Sequence, residues 1–187
     1  MIVVTGSSRT GTSMMMQTLI NLGYPSVAPK FAPVHDNIIE YNRNGFYEID
    51  LEDIKKLGEK DSTKAVKIFG NCLPYVDQAH VSKIIVMVRN REDASKSTVP
   101  LFDKLGYVGC VYKSYDANYK IIESYVKNKD TLFVRFETTI EYPEREVLKV
   151  VNFLEKEFTQ SNINKAINNI KHYSHGDIFS EPCLRNQ

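Results

Sequence analysis

The 187 residues contain no basic run, no closely spaced cysteines and no apolar stretch long enough to span a membrane. Each absence removes a class of function. A net charge of +1 without a local basic patch argues against a general polyanion-binding surface, and so against a nucleic-acid partner. The three cysteines, Cys72, Cys110 and Cys183, are far apart and odd in number. They form neither a metal-ligand spacing nor a disulfide framework, and reduced thiols in a cytoplasmic protein are the simplest reading. A membrane span needs about 18 consecutive apolar residues, and the apolar run that opens the chain is too short even for a signal peptide. Internal repeats, low-complexity segments and domain linkers are missing too. With 42% hydrophobic and 25% charged residues, the chain reads as a single globular domain over 1–187.

What is present is an alternation of strand and helix patterns. Residues 1–5 read as a buried strand, and 12–22 as a helix with Met15, Met16, Leu19 and Ile20 on one face and Gly23 as its stop. Residues 24–47, rich in Pro, Asn, Tyr and charge, read as a long irregular loop with room for one short helix. Asp50 caps a helix running to Leu57, and Gly58 stops it. Lys64–Ile68 is a second strand, and Pro74 opens a short helix to Ala79. Lys83–Val88 is continuous, apolar and β-branched, as in a parallel sheet covered on both faces. Asn90 caps a helix with Glu92 and Asp93 in its first turn. A helix over 114–127, a strand over 131–135, a helix opened by Pro143 and a weaker helix over 161–171 follow, before an irregular tail at 172–187. Such alternation predicts βαβ units: an α/β fold of three layers, αβα, around a central parallel sheet with a P-loop-like phosphate-binding loop. Ligands of such folds bind beyond the carboxyl ends of the strands.

The first loop carries the chemistry. Gly6-Ser7-Ser8-Arg9-Thr10-Gly11-Thr12-Ser13 lies between the first strand and the first helix. The backbone N–H groups of Thr10, Gly11, Thr12 and Ser13 converge on an anion at the helix N-terminus, and the hydroxyls of Thr12 and Ser13 add donors. A nucleotide triphosphatase carries lysine after the second glycine, where this chain has Thr12. The cation sits within the loop instead, at Arg9, whose forked guanidinium suits the same anion.

A second site follows the core strand. In an ATP-hydrolysing protein of this class that strand would end in an acid that helps hold Mg²⁺, but here it ends in Arg89. An arginine at the carboxyl edge of the sheet suits another phosphate, with an ion pair as the plain alternative. Ser97, eight residues on, joins it if the helix lies along the ligand. Arg135 ends the strand at 131–135 in the same way, although Glu137 follows it.

With these residues the chain resembles the sulfotransferases that use 3′-phosphoadenosine 5′-phosphosulfate. Ser8-Arg9-Thr10-Gly11-Thr12-Ser13 resembles their phosphosulfate loop, and Arg89-Asn90-Arg91-Glu92-Asp93-Ala94-Ser95-Lys96-Ser97 resembles their 3′-phosphate segment. Phe133–Glu137, Tyr142-Pro143-Glu144 and Val151–Leu154 are similar to their later strand and helix, and Asn44-Gly45-Phe46-Tyr47-Glu48 to a segment of bacterial and phage-type members. The likeness runs over about residues 1–158, and Ser8 and Arg91 stand where the family has proline. It implies sulfuryl transfer to a hydroxyl or amine, leaving adenosine 3′,5′-bisphosphate, with no metal. Cofactor binding then falls to Ser8, Arg9, Thr10, Gly11, Thr12, Ser13, Arg89 and Ser97, and charge stabilisation to Arg9.

The resemblance also implies a general base, histidine or glutamate in many members. Phe69 stands near the place where some members have the histidine. Glu48 is the first choice, with Glu40, Asp36 and His35 behind it. His80, His172 and His175 read as surface residues, and Lys67 either points to the cradle or lies exposed. Phe31, Tyr41, Phe46 and Tyr47 either form an acceptor pocket or pack the loop onto the core. Arg185 either completes the cofactor site or belongs to a frayed tail. The acceptor is a small molecule or a glycan of unspecified kind, with no membrane partner. A P-loop small-molecule kinase and a non-catalytic nucleotide-binding protein are the alternatives.

Overall fold

The computed structural model describes residues 1–31, 39, 42, 44–104 and 111–174, without the side chains at 100–104, 111–113 and 172–174. Four strands, β1 (Ile2–Gly6), β2 (Ala65–Phe69), β3 (Lys83–Val88) and β4 (Thr131–Arg135), form one sheet in the order β2-β1-β3-β4. Every pairing is parallel. The chain moves from β1 to one neighbour, β2, then crosses to the other, β3. The switch point of the sheet therefore lies between the carboxyl ends of β1 and β3, where folds of this kind bind ligands.

The strands separate two cores by alternation. Ile2 and Val4 of β1, with Ile85 and Met87 of β3, face α1 (Thr12–Leu22), α6 (Pro143–Leu154) and α7 (Gln160–Ser174). Val3, Ile84, Val86, Val66 and Ile68 face the opposite layer, where Ile122 and Val126 of α4 (Val111–Val126) and Ile54 of α2 (Leu51–Ile54) cover them. A sheet buried on both sides explains why β1 and β3 read as unbroken apolar runs. α1 ends at Gly23, in the left-handed region at φ 105, with its N–H on Ile20 O.

Asn90 caps α3 (Arg91–Lys104), its Oδ1 accepting from the N–H groups of Glu92 at 2.9 Å and Asp93 at 3.2 Å. Two local expectations need correction. The helix expected from Asp50 to Leu57 closes after one turn, at Ile54. Pro74 does not open a helix; it lies inside a 3-10 helix, Gly70–Tyr75, and a second one, Gln78–His80, is capped by Asp77. β4 runs directly into α5 (Phe136–Glu141), which has no side-chain cap to announce it in the sequence. The tail from 175 onward, with Arg185, lies outside the described residues, as do His35, Asp36, Glu40 and Tyr41.

Candidate functional site

The first loop turns over the switch point. Gly11 immediately precedes α1 with φ 95, and a Cβ there would stand 2.7 Å from Phe136 Cδ2. Glycine is thus required twice, for the left-handed backbone and for the close approach. No side chain caps α1 and no acid lies in its first turn. Its leading N–H groups and its dipole therefore favour an anion there.

Arg9 is the loop's strained residue, a non-glycine at φ 61. That backbone is held from β3's exit, because Arg89 Nη1 donates to Arg9 O at 3.0 Å. The Arg9 side chain points toward α3, and its Nε donates to Ser97 Oγ at 3.0 Å. Arg9, Arg89 and Ser97, separated by up to 88 positions, thus form one hydrogen-bonded chain across the β1–β3 switch point.

Phe136 is a site residue that sequence reasoning missed. The Arg89 guanidinium carbon lies 4.4 Å from its ring centroid, and the same ring closes on Gly11. The α5 start therefore floors both the loop and the second cation. From the other side α4 buttresses β3: Tyr115 OH donates to Arg89 O and Tyr119 OH to Met87 O, each at 2.6 Å. Burial pushes the Arg89 guanidinium below the usual arginine range, and Asp93 and Glu137 oppose the shift. Arg135, by contrast, is exposed and stands 3.9 Å from Glu137 Oε2. Glu137 Oε1 instead accepts from the Asn90 N–H at 2.7 Å.

Two further loop hydroxyls, those of Thr10 and Ser13, have partners within the fold. Thr10 Oγ1 donates to Ser7 O at 2.8 Å, bracing the turn from within. Ser13 Oγ donates to Phe46 O at 3.2 Å and accepts from Lys67 Nζ at 3.2 Å, so it faces the segment 44–48. Ser8 is half-buried in the turn and Thr12 is buried.

Glu48 enters the site beside β2. It forms a parallel bridge with Lys67, so the two side chains share a face, and Lys67 Nζ lies 2.8 Å from Glu48 Oε1. Lys67 is neither exposed nor solvated: its side chain is 2% exposed, against 31% for Glu48. Burial pushes its ammonium below the usual lysine range, Arg9 adds to the lowering, and Glu48 works against it. Phe46 and Tyr47 are buried packing residues, and Phe31 meets Phe46 edge-on at 6.4 Å. His80 is part-exposed, 3.7 Å from Asp77. Among the described residues, no three His, Cys, Asp or Glu side chains gather as metal ligands would, and no helix is long and apolar enough to cross a membrane.

A parallel αβα protein with an uncapped, acid-free helix N-terminus and two arginines at its switch point defines a phosphate-binding class of the P-loop type. The chain matches the Sulfotransferase domain family over residues 1–177, and it belongs to that family. No curated protein matches it in sequence. Among solved structures it is similar to retinol dehydratase in complex with androsterone and the inactive cofactor PAP. The two share 14% identity at a TM-score of 0.48, with 95% of this chain and 66% of the other covered. The chain therefore spans just under two thirds of that protein's length.

Proposed function

We propose that this protein transfers a sulfuryl group from 3′-phosphoadenosine 5′-phosphosulfate to a hydroxyl or amine of a small-molecule or glycan acceptor. Family membership and one observation support the reading: Arg9 joins the α1 loop to Ser97 on α3 while its carbonyl holds Arg89. Two cationic centres linked in this way suit a ligand with two separated phosphates. The bound donor supplies an activated sulfuryl group; its S–O bond to the 5′-phosphate breaks as a new S–O or S–N bond forms to the acceptor, which loses a proton.

The rest is work for this chain's residues. The N–H groups of Thr10, Gly11, Thr12 and Ser13, with Ser8 in the turn before them, would cradle the 5′ end. Arg9 would stabilise charge growing on the bridging oxygen, and Arg89 with Ser97 would hold the 3′-phosphate. Glu48 would accept the acceptor's proton. The kinase alternative wants lysine at Thr12 and an acid at Arg89, and the chain has neither.

Thermal stabilisation tests the reading. Adenosine 3′,5′-bisphosphate should raise the melting temperature in the absence of Mg²⁺, and by more than ATP with Mg²⁺ does. Radiolabelled sulfate should then pass from the donor to members of an acceptor panel. Stabilisation by ATP alone, and only with Mg²⁺, overturns it. Binding of the bisphosphate without any turnover turns it toward the non-catalytic alternative.

A further inference from the structure

The ammonium of Lys67 is the most completely engaged buried charge beside the site. It has three N–H donors and three oxygen partners: Phe46 O at 2.6 Å, Glu48 Oε1 at 2.8 Å and Ser13 Oγ at 3.2 Å. The Phe69 ring closes a further side, at 4.9 Å. These partners come from different parts of the chain. Ser13 belongs to the first turn of α1, Phe46 and Glu48 to the segment 44–48, and Phe69 to the end of β2. A lysine in the middle of a buried strand is costly unless its charge is matched and its protons are accepted. Here both conditions are met, and the same bonds tie the segment 44–48 to the phosphate loop.

That segment is built to need such a tie. Gly45 sits at φ 111 and Tyr47 at φ 56, so the backbone turns twice through the left-handed region within three residues. The turns send Phe46 O inward, to the lysine and to Ser13. Around it, the Phe46 and Tyr47 N–H groups bond Lys30 O at 2.9 Å and 3.3 Å, and Gln17 Nε2 donates to Asn44 O at 2.7 Å. Glu48 leaves this strap directly into its bridge with Lys67.

Resting on the proposed sulfuryl transfer, we infer that Lys67 is a positioning residue. Its three-way bond fixes the strap 44–48 and holds the Glu48 carboxylate in register with the phosphate loop, rather than holding the donor itself. Ser13 is the joint on the loop side: its hydroxyl serves the strap, while its backbone N–H remains with the helix terminus.

The test compares Lys67→Met, Glu48→Gln and the double variant with the parent chain. Amide hydrogen exchange of the strap needs no substrate. Its N–H groups at 45–47 should exchange about tenfold faster or more in Lys67→Met. The affinity for adenosine 3′,5′-bisphosphate should stay within about threefold, and the KM of the donor with it, while kcat falls about a hundredfold. Because Lys67 acts through Glu48, the double variant should be no slower than the slower single by more than about threefold. Unchanged strap exchange with bisphosphate binding weakened tenfold overturns the inference, as do rate losses that multiply. If Lys67→Met alone does not fold, the double variant, which leaves no carboxylate without its lysine, decides instead, and an unchanged strap in it refutes the tie. Should the parent chain bind no bisphosphate, the transferase reading fails, while strap exchange still answers for Lys67.

Discussion

Replacing Gly11 by alanine puts the loop geometry to a quantitative test. The residue stands at φ 95, and a left-handed L-residue costs about 1–2 kcal/mol. The added Cβ would also meet Phe136 Cδ2 at 2.7 Å and Met87 Cε at 3.3 Å. Phe136 is buried and lies against the Arg89 guanidinium, so its ring cannot yield without shifting that cation. Overpacking of this kind costs about 1–3 kcal/mol. The two effects together give a loss of about 3 kcal/mol, and a chain of this size loses about 2–4 °C in melting temperature per kcal/mol. The expected fall is therefore about 6–12 °C, read by calorimetry. Gly58→Ala is the control: its backbone is extended at φ −164 and a Cβ there meets nothing within 4 Å, so its melting temperature should move by no more than about 2 °C. A Gly11→Ala protein as stable as Gly58→Ala, with unchanged bisphosphate affinity, would refute the tight seat of the loop on Phe136.

Other consequences are equally direct. Arg9→Ala should lower the transfer rate by about 10²–10³ while far-ultraviolet circular dichroism stays that of the parent. Asn90→Ala removes the acceptor for two α3 N–H groups and should cost about 1 kcal/mol in denaturant melts. Burial pushes the Tyr125 phenol up to about 12. Its folded pKa thus lies above the unfolded one, so its contribution to stability is complete below about pH 10 and disappears as pH rises toward 12. Tyr125→Phe should flatten that alkaline decline in melts followed from pH 9 to 12.

Much of this architecture was legible in the sequence, for reasons that can be named. β1 and β3 are covered on both faces, so their apolar runs are unbroken, and Gly23 and Asn90 close and open helices by local backbone chemistry. The start of α5 was not legible, because Phe136 follows β4 with no cap and Pro143 offers a clearer helix signal seven residues later. Its absence from the sequence reading also hid Phe136 as the floor of the loop. The second partner of Ser13 was hidden for a related reason: local pattern assigns a first-turn hydroxyl to the anion, whereas its contact with Phe46 O spans 33 residues. Lys67 did carry a signal. A lysine inside Ala65-Val-Lys-Ile-Phe69 must find a carboxylate if the strand is buried, and Glu48 is the partner that the parallel bridge brings to the same face.

A clamp for two phosphates should distinguish adenosine 3′,5′-bisphosphate from adenosine 5′-monophosphate in calorimetric titrations, both run in chelator. The bisphosphate should bind at least about tenfold more tightly, the return on one further charge-assisted contact, and Arg89→Ala should remove most of the difference. Equal affinity for the two nucleotides in the parent protein, or binding that appears only when Mg²⁺ is added, would contradict the clamp.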